Sequence, residues 1–469
     1  MSFRSKLSRL DSAVRSAATP GPEVARAGAL DDLRARIRAT LERGAVREGR
    51  VLPPVDTVDL PFSSIDTPEG PLHVRSQRLA ISHRTGRTPI AVARDASAEL
   101  LALLALDPAL ARCDPARALF LDTETTGLAG GTGTVAFLLG MAWWEGEGTE
   151  SGLVLEQLLV RALGEEAPML ERARERIEAA SMLVTYNGKS FDLPLLRTRF
   201  VMTRVKAPLE PPHLDLLHLA RRVHGRRLGE GCRLVNIEKH VLGFERVDDV
   251  ASADVSAVYL HFLRTGDAGS LLGVIEHNAW DVVAMAALLG LYGEPLQAGL
   301  AAEDLVGVAR TLRRAGALER AASVADAAVE RAGTAESVRA RADIAKARGD
   351  RQGALEDFER LAAEVDDPSV RLELAKLYEH WVRAPERALG WVERGTGESP
   401  EHAERRAQRL SRKVARVRQT TLAGLGPSAN ATPRRTSRRG SRASRRPPPS
   451  RRSGQGRRAA RCRTALRAR

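Results

Sequence analysis

The chain has 469 residues, 43% of them hydrophobic and only 4% aromatic, which exceeds one core and predicts two or three units packed with Leu, Val and Ala. No continuous apolar run approaches the ~20 residues of a bilayer span and the N-terminus lacks a signal-peptide apolar core, while Cys113, Cys232 and Cys462 are too scattered for a disulfide framework or a zinc site. The +14 net charge is local: residues 405–469 hold 21 Arg, one Lys and no acid, leaving −8 for residues 1–404, so the high pI says little about the folded part.

Residues 1–50 read as a partly disordered leader with one amphipathic helix at 30–43. Residues 51–116 read as an N-terminal extension of short strand-like pieces, PLHVRSQRLAI (71–81) among them, and a helix near 97–106. The extension is expected to pack on the α/β unit after it and to carry no chemistry of its own. Residues 117–295 read as α/β. ALFLDTET (118–125) is an apolar run ending in acids, a buried strand. TVAFLLGMAWWE (134–145) is its antiparallel neighbour and SGLVLEQLLV (151–160) a third strand. A helix at 167–180, a strand at 181–187 and a helix from Asp192 to Phe200 come next.

Residues 302–416 are helical with a repeat that aligns on Ala321, Ala354 and Ala388, at offsets of 33 and 34 residues. That period resembles tetratricopeptide repeats; the third copy has Ala384-Pro385 where the others carry Gly. The repeats read either as a protein-docking array or as a helical cap. Residues 419–469 are Arg, Ser, Pro and Gly, disordered by composition. They read as an electrostatic arm for nucleic acid, as a tail without a role, or as the product of a shifted reading frame.

Three acidic motifs stand within 117–295. In Asp122-Thr123-Glu124 the two carboxylates lie at i and i+2 of a strand, on one face, where they repel unless a cation sits between them. The turn beyond them is rich in Gly and permits close approach of a ligand. In YNGKSFD (186–192), Asp192 opens a helix, where an Asp is also an ordinary cap. In EHNAWD (276–281), His277 and Asp281 share a helix face at i and i+4, and an imidazole titrating near ~6.5 suits a general base. Phosphodiester hydrolysis with two divalent ions requires this kind of carboxylate cluster.

FLDTETTGL resembles the first motif of the DEDD exonucleases, and N-x-x-x-F-D at Asn187–Asp192 the second. Four ordered blocks, FLDTETTGLAGGTGTVAFLLG, YNGKSFDLPLLRTRF, HLDLLHLARR and EHNAWDV, resemble the YprB-type bacterial RNase H-like exonucleases. The resemblance implies an RNase H-like mixed sheet flanked by helices, then tetratricopeptide-like helices and the basic tail. It implies a 3′→5′ exonuclease using two Mg²⁺ or Mn²⁺ ions, acting on DNA ahead of RNA, in repair beside a helicase that the repeats would dock. Asp122, Glu124 and Asp281 would hold one ion, Asp122 would bridge to a second positioned by Asp192, and His277 would be the base. Many histidine-type relatives have four residues between the His and the last Asp; here there are three, as in the tyrosine-type branch.

Thr125, Asn187 and Lys189 are the expected substrate contacts. Arg197 and Arg199 read as phosphate contacts or solvated charges, and Arg233 as a residue that reaches substrate. Asp215 reads as support for the metal shell or as a helix cap; His213, His218, His224 and His240 read as structural or surface groups. A cytoplasmic location and no membrane association are expected. The rival expectation is an inactive adaptor that keeps the fold and binds nucleic acid or protein without cutting.

Overall fold

The computed structural model describes residues 59–127, 133–146, 151–293, 296 and 299–424, the last five by backbone alone. The leader with its helix, and the tail from residue 425, lie outside the described residues.

The extension contributes a hairpin, β1 (Ser63–Thr67) and β2 (Gly70–Ala80), two short strands, β3 (Arg84–Thr85) and β4 (Thr88–Pro89), and helix α1 (Ala98–Ala105). Ser97 starts α1 by accepting from the Leu100 amide at 3.2 Å, which satisfies one of the free first-turn donors. The α/β part runs β5 (Ala118–Thr125), β6 (Ala136–Glu145), β7 (Gly152–Leu159), α2 (Ala167–Ala179), β8 (Met182–Thr185), α3 (Asp192–Thr203), β9 (His213–Asp215), α4 (Leu216–Val223), α5 (Leu234–Ile237), α6 (Val255–Thr265) and α7 (Leu271–Leu291).

Seven strands form one sheet in the order β1-β2-β7-β6-β5-β8-β9. Pairing is antiparallel from β1 to β5 and parallel from β5 through β8 to β9. This is the mixed, helix-flanked sheet of an RNase H-like fold. The extension does more than pack on it: β2 pairs with β7 along its length, from His73–Leu159 to Ala80–Gly152, and widens the sheet by two strands.

Alternation along β5 aims the site. Ala118 and Phe120 pack into the core that holds α7, whereas Leu119 and Leu121 pack against α2 and α3. With a period of two, Asp122 and Glu124 continue the α7 face and Thr123 the α3 face. Helix α7 has 21 residues and is long and apolar enough to cross a membrane by length and composition, without containing a continuous apolar run of that length. An unbroken apolar run does not reveal it because Glu276, His277 and Asp281 interrupt the pattern; Val282, Ala284, Met285 and Leu288 are fully buried on this domain's sheet.

A helical array comes next: α8 (Ala302–Arg314), α9 (Leu318–Ala332), α10 (Ala335–Arg348), α11 (Arg351–Glu364), α12 (Pro368–Leu377), α13 (Pro385–Glu393) and α14 (Pro400–Gly424). Alternate helices start at 302, 335, 368 and 400, and the others at 318, 351 and 385, close to the period read from the sequence. Ala321, Ala354 and Ala388 are all fully buried, where small side chains let helices approach. Gly316 and Gly349 supply positive φ between helices, and in the third pair Arg383 adopts φ 58° instead.

The array shares its core with the α/β part, Val306, Val308 and Leu312 packing in one cluster with Leu219 and Val223. Buried Asp304 accepts from Arg227 Nη2 at 2.8 Å and lies 2.8 Å from His224 Nδ1. Helix α14 continues to Gly424, past residue 419, where the tail was expected to begin. Its run of helix-compatible Arg, Gln, Leu and Ala outweighs the compositional bias that starts beyond it.

Candidate active site

Asp122 and Glu124 stand at the end of β5 with α7 beside them and α3 behind. Asn278 Nδ2 donates to Asp122 Oδ2 at 2.9 Å. On the other face, Asp192 Oδ1 accepts from the Thr123 amide at 3.0 Å and from its hydroxyl at 2.5 Å. The residue between the two strand acids thus ties the third acid to them. His277 Nε2 lies 3.8 Å from Glu124 Oε1 and 3.7 Å from Asp281 Oδ2. Glu124, His277 and Asp281 each offer a ligand atom within 4.8 Å of the others. Those three form one potential ligand group, and Asp122 and Asp192 line the cleft with Glu124 and act electrostatically on the same acids.

The electrostatics of this cluster call for a cation. Burial, then Asp281, Asp192 and Glu124, raise the Asp122 carboxyl well above its ordinary value, against the Asn278 hydrogen bond. Glu124 is raised well above its own by burial, Asp281 and Asp192, with Arg246 opposing. Asp192 is pushed up to about 6 by burial, although the Thr123 bonds pull the other way. Like carboxylates confined out of water favour protonation unless positive charge compensates them. A set of hard oxygen donors in that condition, with one imidazole at its edge, fits Mg²⁺ or Mn²⁺.

Three residues of the site are not singled out by the sequence. Asp249 Oδ1 lies 2.6 Å and Arg246 Nη1 3.3 Å from His277 Nδ1; an ionised Asp249 can only accept there, and Nε2 faces Glu124 and Asp281. Arg246 is almost fully buried; its guanidinium donates to Glu238 at 2.7 and 2.8 Å and also to Asp281, and lies 3.3 Å from Asp249. Burial lifts the Glu238 carboxyl to about 7, with Arg246 holding it down in part. Asn278, the third, sits inside the EHNAWD motif, between the two residues whose types suit metal and proton chemistry.

The acids open onto a cleft of about 510 Å³ lined by Thr125, Gly127, Tyr186, Asn187, Phe191 and Ser256, among others. Thr125 donates to the Gly127 carbonyl at 3.0 Å. Asn187 has φ 69°, and its amide and that of Lys189 donate to Asp215 at 2.8 and 3.1 Å. Asp215 also caps α4 through the Leu217 amide at 3.1 Å, so it holds the second motif's loop and does not join the metal shell. The Lys189 side chain is exposed and does not line the cleft.

Arg199 is no phosphate contact: it is buried and donates to Glu166 at 2.8 Å. Arg197 is paired with Glu210 at 2.7 Å. Burial, then Lys189, lowers His213 to about 4, and its ring lies 2.8 Å from the Thr185 hydroxyl. His224 is enclosed beside Tyr292, while His218, His240 and Arg233 are exposed.

Residues 119–292 match the RNase_H superfamily. The chain is also similar to the uncharacterized protein YprB of Bacillus subtilis (strain 168), 37% identical over 171 residues, which are 36% of this chain and 40% of that protein. It thus spans about two fifths of the length of the curated relative it matches. The sheet order and the acids at the end of its central strand agree with these two likenesses: residues 119–292 have an RNase H-like fold and are similar to the RNase H superfamily and to part of YprB.

Proposed function

We propose that this domain is a divalent-metal-dependent 3′→5′ exonuclease, acting on DNA ahead of RNA. The observation that carries the reading is the meeting of Asp122, Glu124, Asp192 and Asp281 in a space so confined that burial and mutual repulsion drive the first two well above the ordinary carboxylate range. Asp122, Glu124 and Asp281 would hold one ion and Asp122 with Asp192 a second. Bound Mg²⁺ or Mn²⁺ supplies neutralisation of the attacked phosphate and a more acidic water.

The chain's own residues do the rest. The 510 Å³ cleft beside the acids admits a terminal nucleotide. His277, oriented by Asp249, takes a proton from the attacking water through Nε2. The bond from phosphorus to the 3′ oxygen of the penultimate nucleotide breaks, that oxygen is protonated, and a 5′-mononucleotide leaves. Arg246 holds Asp281 by Oδ1, lies 3.3 Å from His277 Nδ1 and spreads charge over the acids around it. Helix starts recurring at 32 to 34 residues support a tetratricopeptide-like array for protein docking, for which a helicase is the proposed partner.

The test is degradation of 5′-labelled single-stranded and duplex DNA and RNA with Mg²⁺, Mn²⁺ or chelator. Stepwise shortening of the labelled strand that requires the cation, and falls by roughly 10²-fold or more in Asp122→Asn, is expected. Binding without cutting would favour the adaptor, and cutting unchanged in that variant would overturn the role given to Asp122.

A further inference from the structure

Three hydrogen bonds lead from the N-terminal extension to Asp122. Arg75 on β2 donates from Nη1 to Gln157 Oε1 at 2.9 Å. Gln157 Nε2 donates to Asn278 Oδ1 at 2.9 Å. Asn278 Nδ2 donates to Asp122 Oδ2 at 2.9 Å. Gln157 is 1% exposed and Asn278 0%, so neither carboxamide has water as a substitute partner.

The direction of the chain is fixed by Arg75. A guanidinium only donates, and each carboxamide accepts at its oxygen and donates from its nitrogen. With Arg75 on its oxygen, Gln157 turns its amide nitrogen inward. Asn278 must then give Gln157 its oxygen and Asp122 its nitrogen. Turning either amide over would set like against like in the core. The second Gln157 proton goes to the Ile275 carbonyl at 2.7 Å, which ties the relay to α7. Room for it comes from Gly140, the cross-strand partner of both Asp122 and Gln157, where a Cβ would lie 2.3 Å from Asn278 Oδ1.

We propose, resting on the metal-site reading above, that Arg75, Gln157 and Asn278 are positioning residues that hold Asp122 by Oδ2 and leave Oδ1 for a divalent cation. Strand β2, which lies before the matched residues 119–292, thereby completes the metal centre from outside the nuclease domain. Arg75 is itself steadied by Glu276 at 2.7 Å, one residue before the proposed base.

Calorimetric titration of the full chain with Mn²⁺ alone tests this, with melting in metal-free buffer as the control for folding. Gln157→Glu keeps a partner for Arg75 but offers Asn278 no donor, so its amide turns and presents oxygen to Asp122; the Mn²⁺ Kd should rise about 10-fold or more. Arg75→Met, on a partly exposed side chain, should raise it about threefold or more, and Arg75→Lys, which keeps a donor, should stay within about twofold of wild type. Wild-type affinity in Arg75→Met, or a loss in Arg75→Lys equal to that in Arg75→Met, overturns the relay while the metal site stands. Absence of Mn²⁺ binding by the wild-type chain overturns both.

Discussion

Raising the pH of the metal-free chain through the acidic range should weaken its fold, and Asp192 sets a measurable part of that loss. Its carboxyl is 6% exposed and burial lifts it to about 6, against 3.8 for an unperturbed Asp. Between those values the folded chain keeps a proton that the unfolded chain has released. Stability therefore falls as pH rises. The contribution is fully present below about pH 4 and lost as pH passes the folded value of about 6. About two units at ~1.4 kcal/mol each give about 3 kcal/mol.

Asp122 and Glu124 are shifted in the same direction and carry the decline to higher pH. Asp192→Asn removes the charge yet keeps an oxygen to accept from Thr123. The assay is melting by circular dichroism across about pH 4 to about pH 7, wild type against variant. At about 2–4 °C per kcal/mol for a unit of 150–250 residues, the wild-type Tm should drop by several degrees relative to the variant. A difference that stays flat or grows in favour of the wild type would refute the reasoning. Mn²⁺ at the upper pH should restore much of the loss, because only the folded chain presents the site.

Asp249→Asn should lower kcat about 10- to 100-fold while leaving the Mn²⁺ Kd near wild type, because it disturbs the His277 tautomer and no proposed ligand; steady-state kinetics with calorimetry separates the two. Gly140→Ala should destabilise the fold by about 1–3 kcal/mol in denaturant titrations, as its Cβ has no space beside Asn278. Arg199→Ala should cost about 3–5 kcal/mol by leaving buried Glu166 without its partner, yet should not change affinity for a single-stranded oligonucleotide in a filter-binding assay.

Elements with their own periodicity were legible in the sequence. The strand at 118–125 and the helices at 167–179 and 192–203 arise from apolar runs, a Pro near a helix start and an acid opening the first turn. Asp122 with Glu124, and His277 with Asp281, were legible as pairs because strand alternation and helical i, i+4 spacing are local rules, whereas Asp192 stood out only by its resemblance to the N-x-x-x-F-D motif. What escaped depends on distant segments. Asp249 and Arg246 lie in a stretch without regular structure, and nothing nearby says that they face His277 and Asp281.

Arg199 resembled a phosphate ligand because sequence cannot show the buried Glu166 that claims it. Gln157 did leave a signal: a polar Glu156-Gln157 pair within the otherwise apolar GLVLEQLL, all of it buried, must be satisfied somewhere. Glu156 is met by Arg172 at 2.8 and 2.9 Å and Gln157 by the relay. The extension looked devoid of chemistry because Arg75 acts only through its neighbours.

The proposed chemistry requires divalent cations shared by Asp122, Glu124, Asp192 and Asp281. Anomalous diffraction from crystals of the chain soaked in Mn²⁺ tests that most directly. Two peaks about 4 Å apart, both within coordination distance of Asp122, are the predicted result. An ordered carboxylate cluster without a peak, or Mn²⁺ bound elsewhere with Arg246 alone balancing the acids, would contradict it.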